Sequence, residues 1–323
     1  MTEIILTPSL DRLPQVAADL AEKALGYAEE AQAESTRKNY RHNWETWVEW
    51  CELFGQPPLP ASDNTVALHI TAMGEVGYKP ASISLRLTSI RQAHRLAEED
   101  DPTSSEKVRQ VFQGIKRSQG TAQDQKAPIT PDHLRRIVKH LLLDQPIDLR
   151  DRALLLLGFA GAFRRSELVG IHLEHMDWRE EGLVVTLPRS KTDQEGQGRQ
   201  VAVLAAADPI LCPLSATKAW MKGMEITEGP LFRGFYPRGG IRDDALTTRS
   251  VANIVKRRLE EIGLDPKLYS GHSLRAGFAT AAAMQGATEI AIMRQTGHRS
   301  LEMVRRYVRE GNLFRKHAGE GLL

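Results

Sequence analysis

The chain has 323 residues, of which 41% are hydrophobic and 26% charged, and its formal net charge is +2. These values are those of an ordinary globular protein. Only two cysteines occur, Cys51 and Cys212, which argues against a disulfide framework and a cysteine-based zinc site. The N-terminus lacks a signal-peptide pattern, and no apolar run approaches the roughly 18 residues of a membrane span. We therefore expect a cytoplasmic protein that makes no membrane contact.

The charged residues are distributed unevenly along the chain. Residues 1–34 contain seven acidic and two basic residues, a net charge of −5, so the remainder of the chain carries +7. A weakly acidic arm thus precedes a basic body. Such a body is compatible with a polyanionic partner but does not require one.

The first part of the chain is predicted to be helical throughout. The composition of residues 10–33 is consistent with a helix, and a second helix follows with Ser35 or Thr36 as its cap. Apolar residues of this second helix recur at spacings of three and four, which is typical of one buried face. That stripe consists of Tyr40, Trp44, Trp47, Cys51 and Phe54. Further helices are predicted from Asp63, as the cap, through Val76, from Pro80 to about Ala97, and from about Thr103 to Arg117.

A polar, glycine-containing stretch at 119–129 is the predicted linker to a second part of the chain. Thr130 and Pro131 have the pattern of a helix cap and first turn. The only clear strand signal consists of residues 183–189 and 199–205, so the second part is predicted to be mainly α with a small antiparallel sheet. Its further helices are predicted at about 149–162, which includes the apolar core run, 166–173, 213–224, 247–262, 273–286, 288–296 and 300–310.

Four stretches of the second part contain residues of reactive type. They hold Arg164 and Glu167 in GAFRRSELVGI, Lys191 in LPRSKTDQEG, His272 and Arg275 in SGHSLRAGFAT, and His298 and Tyr307 in TGHRSLEMVRRYV. Each has an ordinary explanation when taken alone, such as a helix ion pair, a solvated turn or a core tyrosine. His172 and His175 also form an H-x-x-H pattern, but zinc needs three or four ligands and no further ligand is near, so no metal site is predicted.

The combination of these residues is more specific than any one of them. Two arginines, a lysine and two histidines accompany one tyrosine, which is the set that phosphoryl transfer without a metal requires. Charge gathers on the non-bridging oxygens of a phosphodiester in the transition state, and arginine forks can neutralise it. A tyrosine nucleophile gives a covalent phosphotyrosine, and the leaving alkoxide needs a proton from an acid such as lysine or histidine.

In order and spacing, these motifs resemble those of the tyrosine site-specific recombinases, the phage-integrase family. The resemblance covers about residues 130–310 and includes Arg164 in FRRSEL, Lys191 in RSKT, the H-x-x-R motif, and a Gly-His pair nine residues before Tyr307. The two-part layout is similar to that of Cre recombinases, without room for an additional arm-binding domain. One departure is that His298 stands where Cre carries tryptophan, although histidine is usual in the wider family.

The resemblance implies a reaction and a phosphate-binding set. Tyr307 would attack the scissile phosphate to form a 3′-phosphotyrosyl link and free a 5′-hydroxyl. That hydroxyl would then attack a partner strand, giving a Holliday junction and afterwards recombinant duplexes. Arg164, Arg275 and His298 would bind the phosphate oxygens.

The remaining matched residues have implied roles in proton transfer and orientation. Lys191 would protonate the leaving 5′-oxygen, and His272 would assist proton transfer at Tyr307. Glu167 would orient Arg164 without itself contacting the reacting atoms. The resemblance implies no ATP, metal or other cofactor.

The resemblance also implies domains and partners. Residues 1–34 form the acidic helical arm, 35–118 a helical core-binding domain, 119–129 the linker, 130–310 the catalytic domain and 311–323 a tail that docks on a neighbouring protomer. The expected assembly is a homotetramer on two double-stranded DNA sites with inverted repeats, clamped between the two domains. Candidate DNA contacts on polar helix faces are Arg37, Lys38, Arg41 and Arg86.

Three alternatives stay open at the level of the sequence. A resolvase, a transposon recombinase or a type IB-like topoisomerase would keep the chemistry and change the outcome. A non-catalytic DNA-binding protein would keep the fold, but a decayed site should have lost some of the reactive residues. A helical interaction protein would make the whole constellation a coincidence.

Overall fold

A computed structural model describes residues 34–120, 126–188, 198–298 and 300–311 of the chain. The chain divides into two compact units, Met1–Asp124 and Gln125–Leu323, and the division falls inside the stretch predicted as a linker. The acidic arm up to residue 33, the turn that carries Lys191, and the tail from residue 312 onward lie outside the described residues. Predictions for these segments stay predictions.

The described part of the first unit is all-helical, as the sequence predicts. It contains helices α1 Glu34–Leu53, α2 Asp63–Glu75, α3 Pro80–Leu96 and α4 Glu106–Gln119, with a 3₁₀ turn at Pro102–Ser104. The predicted cap of α2 is off by one residue. The Ser62 hydroxyl, rather than the Asp63 side chain, accepts the Thr65 backbone N–H at 3.1 Å. Asp63 instead occupies the first turn, where an acidic side chain interacts favourably with the helix dipole.

The stripe predicted for α1 forms part of the core of the first unit. Trp47 and Cys51 are fully buried against Ile70 of α2 and Ile83 of α3. Phe54 lies beyond the end of α1 and is 56% exposed, so the stripe ends one turn earlier than the spacing predicts.

Helices also dominate the described part of the second unit. They are α5 Pro131–His140, α6 Pro146–Ala160, α7 Arg165–Val169, α8 Pro213–Gly223, α9 Thr248–Glu261, α10 Ser273–Met284, α11 Glu289–Thr296 and α12 Leu301–Gly311. The apolar run of α6 is buried as predicted, with Leu154, Leu155 and Leu157 fully inaccessible. α7 ends earlier than predicted, because Gly170 follows directly as its C-cap.

Two small antiparallel sheets accompany these helices. The first has the strand order β1 (Met176–Trp178), β2 (Gly182–Leu187) and β3 (Arg199–Leu204), and Leu187 pairs with Arg199 at its end. The second is a hairpin of β4 (Arg233–Phe235) and β5 (Ile241–Ala245). β2 and β3 were predicted, whereas β1, β4 and β5 were not. These three strands have three to five residues, which is too short to show clear alternation.

The mainly α fold with small antiparallel sheets is confirmed. Thr130 caps α5 as predicted, because its hydroxyl accepts the His133 N–H at 3.2 Å. Across the described ranges, no helix combines the length and apolar character that crossing a bilayer would need.

Candidate active site

The start of α7 joins Arg164 and Glu167 by two hydrogen bonds. Arg164 is the N-cap, and its backbone N–H donates to Glu167 Oε2 at 2.7 Å. Its Nη1 donates to Oε1 of the same carboxylate at 2.5 Å. The Glu167 side chain is 1% exposed and that of Arg164 is 12% exposed. A carboxylate at the first helical turn thus satisfies a free backbone donor and fixes the guanidinium above it.

A third hydrogen bond to Glu167 comes from Arg199, at the start of β3. Arg199 Nη2 donates to Glu167 Oε2 at 3.2 Å. Burial alone would raise the pKa of the Glu167 carboxyl, but the Arg164 backbone N–H and the charges of Arg199 and Arg164 lower it overall. Glu167 is therefore a buried anion held between two arginines.

Arg275 of α10 is the most deeply buried of the cations in this group. It is 4% exposed, and its Nη1 donates to the carbonyl of Ala162 at 2.9 Å. Ala162 has φ of +49°, a left-handed conformation that costs a non-glycine residue energy and is often found at functional sites. Nη2 of Arg275 is buried and has no hydrogen-bond partner among the described residues. Burial, then the charge of Arg164, lowers the pKa of Arg275 to about 10, so it still carries its charge at neutral pH.

The junction of α11 and α12 carries the Gly-His pair. Gly297 ends α11 in the left-handed region, with φ of +63°, and its carbonyl accepts Arg164 Nη2 at 3.0 Å. A Cβ at this position would lie 2.9 Å from Arg199 Cζ. The position therefore needs glycine both for its conformation and for the approach of Arg199.

His298 is buried beside this junction and is held by one ring nitrogen. The Thr296 hydroxyl donates to the Ile292 carbonyl at 2.7 Å and lies 2.7 Å from His298 Nδ1. Because a hydroxyl has one proton to donate, Nδ1 must carry the hydrogen, and Nε2 of the neutral ring is left as an acceptor. Burial, followed by the charges of Arg275, Arg164 and Arg199, lowers the pKa of His298 to about 4.

Tyr307 lies on α12 next to this histidine. The two ring centroids are 5.8 Å apart, with an angle of 30° between the ring planes. The tyrosine packs against a small apolar cluster that includes Ala279 of α10, Ile292 of α11 and the fully buried Val304 one turn earlier. The apolar face of α12 thus fixes the phenol close to the buried cations.

The structure brings together most of the residues that the sequence singled out. One group in the second unit contains Arg164, Glu167, Arg275, His298 and Tyr307. His272 lies at the N-cap of α10 and is exposed, and its backbone N–H donates to Ser270 Oγ at 3.2 Å. Lys191 lies outside the described residues.

Arg199 belongs to the group but was not singled out from the sequence. It lies 32 positions after Glu167, at the first residue of a predicted strand, where a single arginine gives no motif. Its half-buried position at the start of a strand that otherwise alternates exposed and buried residues becomes evident only in the fold.

Among the candidate DNA contacts of the first unit, one differs from the others. Arg37, Lys38 and Arg41 are exposed on α1. Arg86 is 5% exposed, and its Nε donates to Asn43 Oδ1 at 3.2 Å. It therefore lies inside the unit and not on the polar helix face from which a DNA contact was predicted. The reason is that position 86 falls on the same side of α3 as the buried Ile83 and Ile90.

The group around Glu167 has more positive than negative charge. Three guanidinium groups surround one carboxylate, and one buried donor of Arg275 has no partner among the described residues. Burying unbalanced charge is costly unless a counter-charge binds. The arrangement suits an anion with several oxygen acceptors, placed within reach of the Tyr307 hydroxyl.

Comparison with known proteins agrees with this geometry. The sequence profile of the phage integrase family matches residues 127–312, more than half of the chain. This chain belongs to the phage integrase family. The chain is 38% identical, over 93% of its length and 88% of the relative, to an integrase/recombinase XerD homologue from Selenomonas ruminantium. The prediction of a tyrosine recombinase is thereby confirmed.

Solved structures of a recombinase and an integrase share the fold. A XerH site-specific recombinase bound to a palindromic difH substrate aligns with a TM-score of 0.59 at 16% identity, over 79% of this chain and 70% of that one. A lambda integrase dimer bound to a COC′ core site aligns with a TM-score of 0.58 at 20% identity, over 88% and 94% of the two chains. The two helical units thus belong to a fold shared with DNA-bound recombinases.

Proposed function

We propose that this tyrosine recombinase exchanges DNA strands at specific sites through a 3′-phosphotyrosyl link to Tyr307 and a Holliday junction. The observation that carries the proposal is the surplus of buried positive charge around Glu167, with the unpartnered Arg275 donor, directly beside the tyrosine. A phosphodiester supplies the missing negative charge. It also supplies the electrophile that a phenol hydroxyl needs.

In this proposal, Arg164, Arg275 and His298 bind the non-bridging oxygens of the scissile phosphate. The planar forks of the two arginines are held by Glu167 and by the Ala162 carbonyl before any substrate arrives. Such preorganised donors stabilise the charge that develops in the transition state without further rearrangement. Glu167 contributes by orienting Arg164 through two hydrogen bonds.

His298 can donate to a phosphate oxygen only after it gains a proton. Its neutral ring has an acceptor at Nε2, and burial together with the surrounding arginines holds its pKa at about 4. A phosphate placed among the same arginines adds negative charge and raises that pKa. Phosphate binding is therefore coupled to proton uptake at Nε2.

Two residues are proposed to move protons during cleavage. Lys191 donates a proton to the leaving 5′-oxygen, and His272 assists proton transfer at the Tyr307 hydroxyl. A covalent phosphotyrosine conserves the energy of the phosphodiester, so rejoining needs no ATP. Because arginines supply the positive charge, the proposed reaction also proceeds without a divalent metal. Activity in the presence of EDTA tests this part of the proposal.

The proposed substrate is double-stranded DNA with inverted-repeat sites, bound by a homotetramer that acts in the cytoplasm. The XerH recombinase is bound to a palindromic difH substrate, and the lambda integrase dimer is bound to a COC′ core site. Arg37, Lys38 and Arg41 are exposed on α1 and are proposed to contact DNA phosphates. The tail at 311–323 is proposed to dock on a neighbouring protomer, linking four subunits into a ring.

A nicked substrate that loses its 5′-hydroxyl after cleavage tests the chemistry. The wild-type protein should accumulate a covalent protein–DNA adduct on it. The Tyr307→Phe variant should bind the same DNA and form none, because the ring is kept and only the nucleophile is removed. Normal adduct formation by that variant would exclude Tyr307 as the nucleophile. A plasmid with two sites then separates strand exchange from simple resealing.

A further inference from the structure

Arg199 makes contacts with two different segments of the proposed phosphate site. Its Nη2 donates to Glu167 Oε2 at 3.2 Å, at the start of α7. Its Nη1 donates to the Gln295 carbonyl at 3.1 Å, near the end of α11. The side chain is 19% exposed and reaches both partners from the first residue of β3. One guanidinium thus links α7 to α11 across a strand end.

The same guanidinium also packs against Gly297. A Cβ on Gly297 would lie 2.9 Å from Cζ and 3.0 Å from both Nε and Nη1 of Arg199. Only glycine allows this approach, and its φ of +63° independently favours glycine. Arg199 therefore leaves no room for a side chain at the position before His298.

Arg164 depends on the two groups that Arg199 contacts. Arg164 Nη1 donates to Glu167 Oε1, and its Nη2 donates to the Gly297 carbonyl at 3.0 Å. Each anchor of Arg164 is thus in contact with Arg199. Both terminal nitrogens of Arg199 are used in its own bonds to Glu167 and Gln295, whereas Nη2 of Arg275 has no partner among the described residues. Nε of Arg199 also has no hydrogen-bond partner there, but it is buried against Gly297.

We propose that Arg199 is a positioning residue, which fixes the Glu167 carboxylate and the Gly297 backbone so that Arg164 and His298 hold their places around the scissile phosphate. This inference rests on the proposed function for its effect on cleavage. The contacts of Arg199 with Glu167 and Gly297 are present in the protein without DNA. Arg199 acts through Arg164 and His298 and does not itself bind the phosphate.

A double-mutant cycle on adduct formation tests the first half of the proposal. Arg199→Met removes the donors and keeps much of the volume, and it should slow adduct formation roughly tenfold to 100-fold, the effect of a small misplacement of a catalytic group. Arg199→Lys, which can reach one of the two partners, should recover part of that loss. Half-site affinity should change less than about twofold, because phosphate contacts elsewhere along the duplex supply most of it.

The cycle with Arg164→Ala decides how Arg199 acts. If Arg199 works partly through Arg164, Arg199→Met should slow the Arg164→Ala variant by a clearly smaller factor than it slows the wild type, because only its effect through His298 is left. Defects that multiply would overturn the proposal and make Arg199 an independent contributor. Arg136→Met is the control, since this exposed arginine of the same unit donates to the Ile262 carbonyl and belongs to neither arginine cluster. It should cleave like the wild type.

A titration of the free protein tests the second half. The C2 proton of His298, assigned by its loss in His298→Gln, should titrate at a higher pH in Arg199→Met than in the wild type, because one neighbouring cation is gone. An unchanged titration would overturn the placement of Arg199 beside His298. If the wild type forms no adduct at all, the proposed function fails, and this titration still decides the position of Arg199.

Discussion

The second unit contains two groups of arginines, each arranged around a buried carboxylate, that differ in charge balance. The Asp151 cluster consists of Asp148, Asp151, Glu261, Arg150, Arg257 and Arg258. The Glu167 cluster consists of Arg164, Glu167, Arg199 and Arg275. Three arginines face three carboxylates in the first, and three arginines face one carboxylate in the second.

The Asp151 cluster satisfies the hydrogen bonds of its central carboxylate. Asp151 is fully buried, and its Oδ1 accepts Arg150 Nε and Nη2 at 3.0 and 2.8 Å. Its Oδ2 accepts Arg257 Nη2 at 2.5 Å and Arg258 Nε at 2.8 Å. Burial alone would lower the pKa of Arg258, but Asp151 and the hydrogen bonds to Glu261 and Asp148 raise it overall.

The pKa of the buried arginine moves in opposite directions in the two clusters. It rises for Arg258, which meets three carboxylates, and falls to about 10 for Arg275, which donates to a backbone carbonyl. A balanced cluster ties α6 to α9 and stabilises the fold. An unbalanced one keeps charge available for a ligand, which is the usual trade between stability and function. We infer that the two clusters should respond differently to mutation.

The largest expected effect is on cleavage by Arg275→Met. Removing one preorganised cation should slow adduct formation about 10³-fold, an effect of about 4 kcal/mol on the barrier. The melting temperature should not fall, because Arg275 forms no ion pair with a carboxylate among the described residues and burying its charge is costly. Adduct assays and calorimetry on the same preparation check both statements. A large drop in melting temperature would make Arg275 a structural residue like Arg258.

Asp151→Asn should produce the reverse pattern. It leaves Arg150, Arg257 and Arg258 short of a buried counter-charge and should lower the free energy of unfolding by about 3 kcal/mol. Adduct formation at a temperature where the variant stays folded should remain within about threefold of the wild type. Asp243→Asn is the matched control, since that side chain is 98% exposed at 3.6 Å from Arg233. Denaturant titration should show little change for it.

A smaller effect concerns the pH dependence of stability through His298. Its folded pKa of about 4 lies below the ordinary value of 6.5, so the unfolded chain binds the proton more tightly. The neutral ring therefore makes its full contribution to the free energy of unfolding above about pH 6.5, and that contribution is lost as the pH falls towards 4. Between pH 7.5 and 5 the loss should be roughly 2 kcal/mol for this one group.

Denaturant titrations of His298→Phe at the two pH values isolate that contribution. The variant should lose about 2 kcal/mol less on acidification than the wild type. The exposed His42, changed to Gln, is the control and should leave the difference unchanged. An identical acid loss in His298→Phe and the wild type would mean that burial beside the Glu167 cluster does not hold the ring neutral.

Local spacing in the sequence predicts most of the site. Arg275 follows His272 by three residues at the start of one helix, and Tyr307, two helices later, follows a Gly-His pair by nine residues, so the motifs are visible without the fold. The contacts of Arg199 could not be predicted, because its partner Gln295 lies 96 positions away. The burial of Arg86 was predictable in principle, since Ile83 and Ile90 lie on the same side of α3.

The charge balance of the two clusters is also a property of the fold. Asp151 lies beside Arg150 and Arg152 in the sequence and looks like part of a charged helix start. Its partners Arg257 and Arg258 are 106 and 107 positions away. Long-range pairing of this kind decides whether a buried arginine is neutralised. Sequence spacing carries no information about it.

The central claim is that the unbalanced cluster presents a DNA phosphate to Tyr307, and mapping the covalent link tests it most directly. Wild-type protein trapped on the nicked substrate is digested with a protease that cuts after glutamate, which releases residues 303–310 as one peptide. Mass spectrometry should find that peptide with a nucleotide remnant on Tyr307. A remnant on any other residue, or a trapped adduct whose 303–310 peptide is unmodified, would contradict the account.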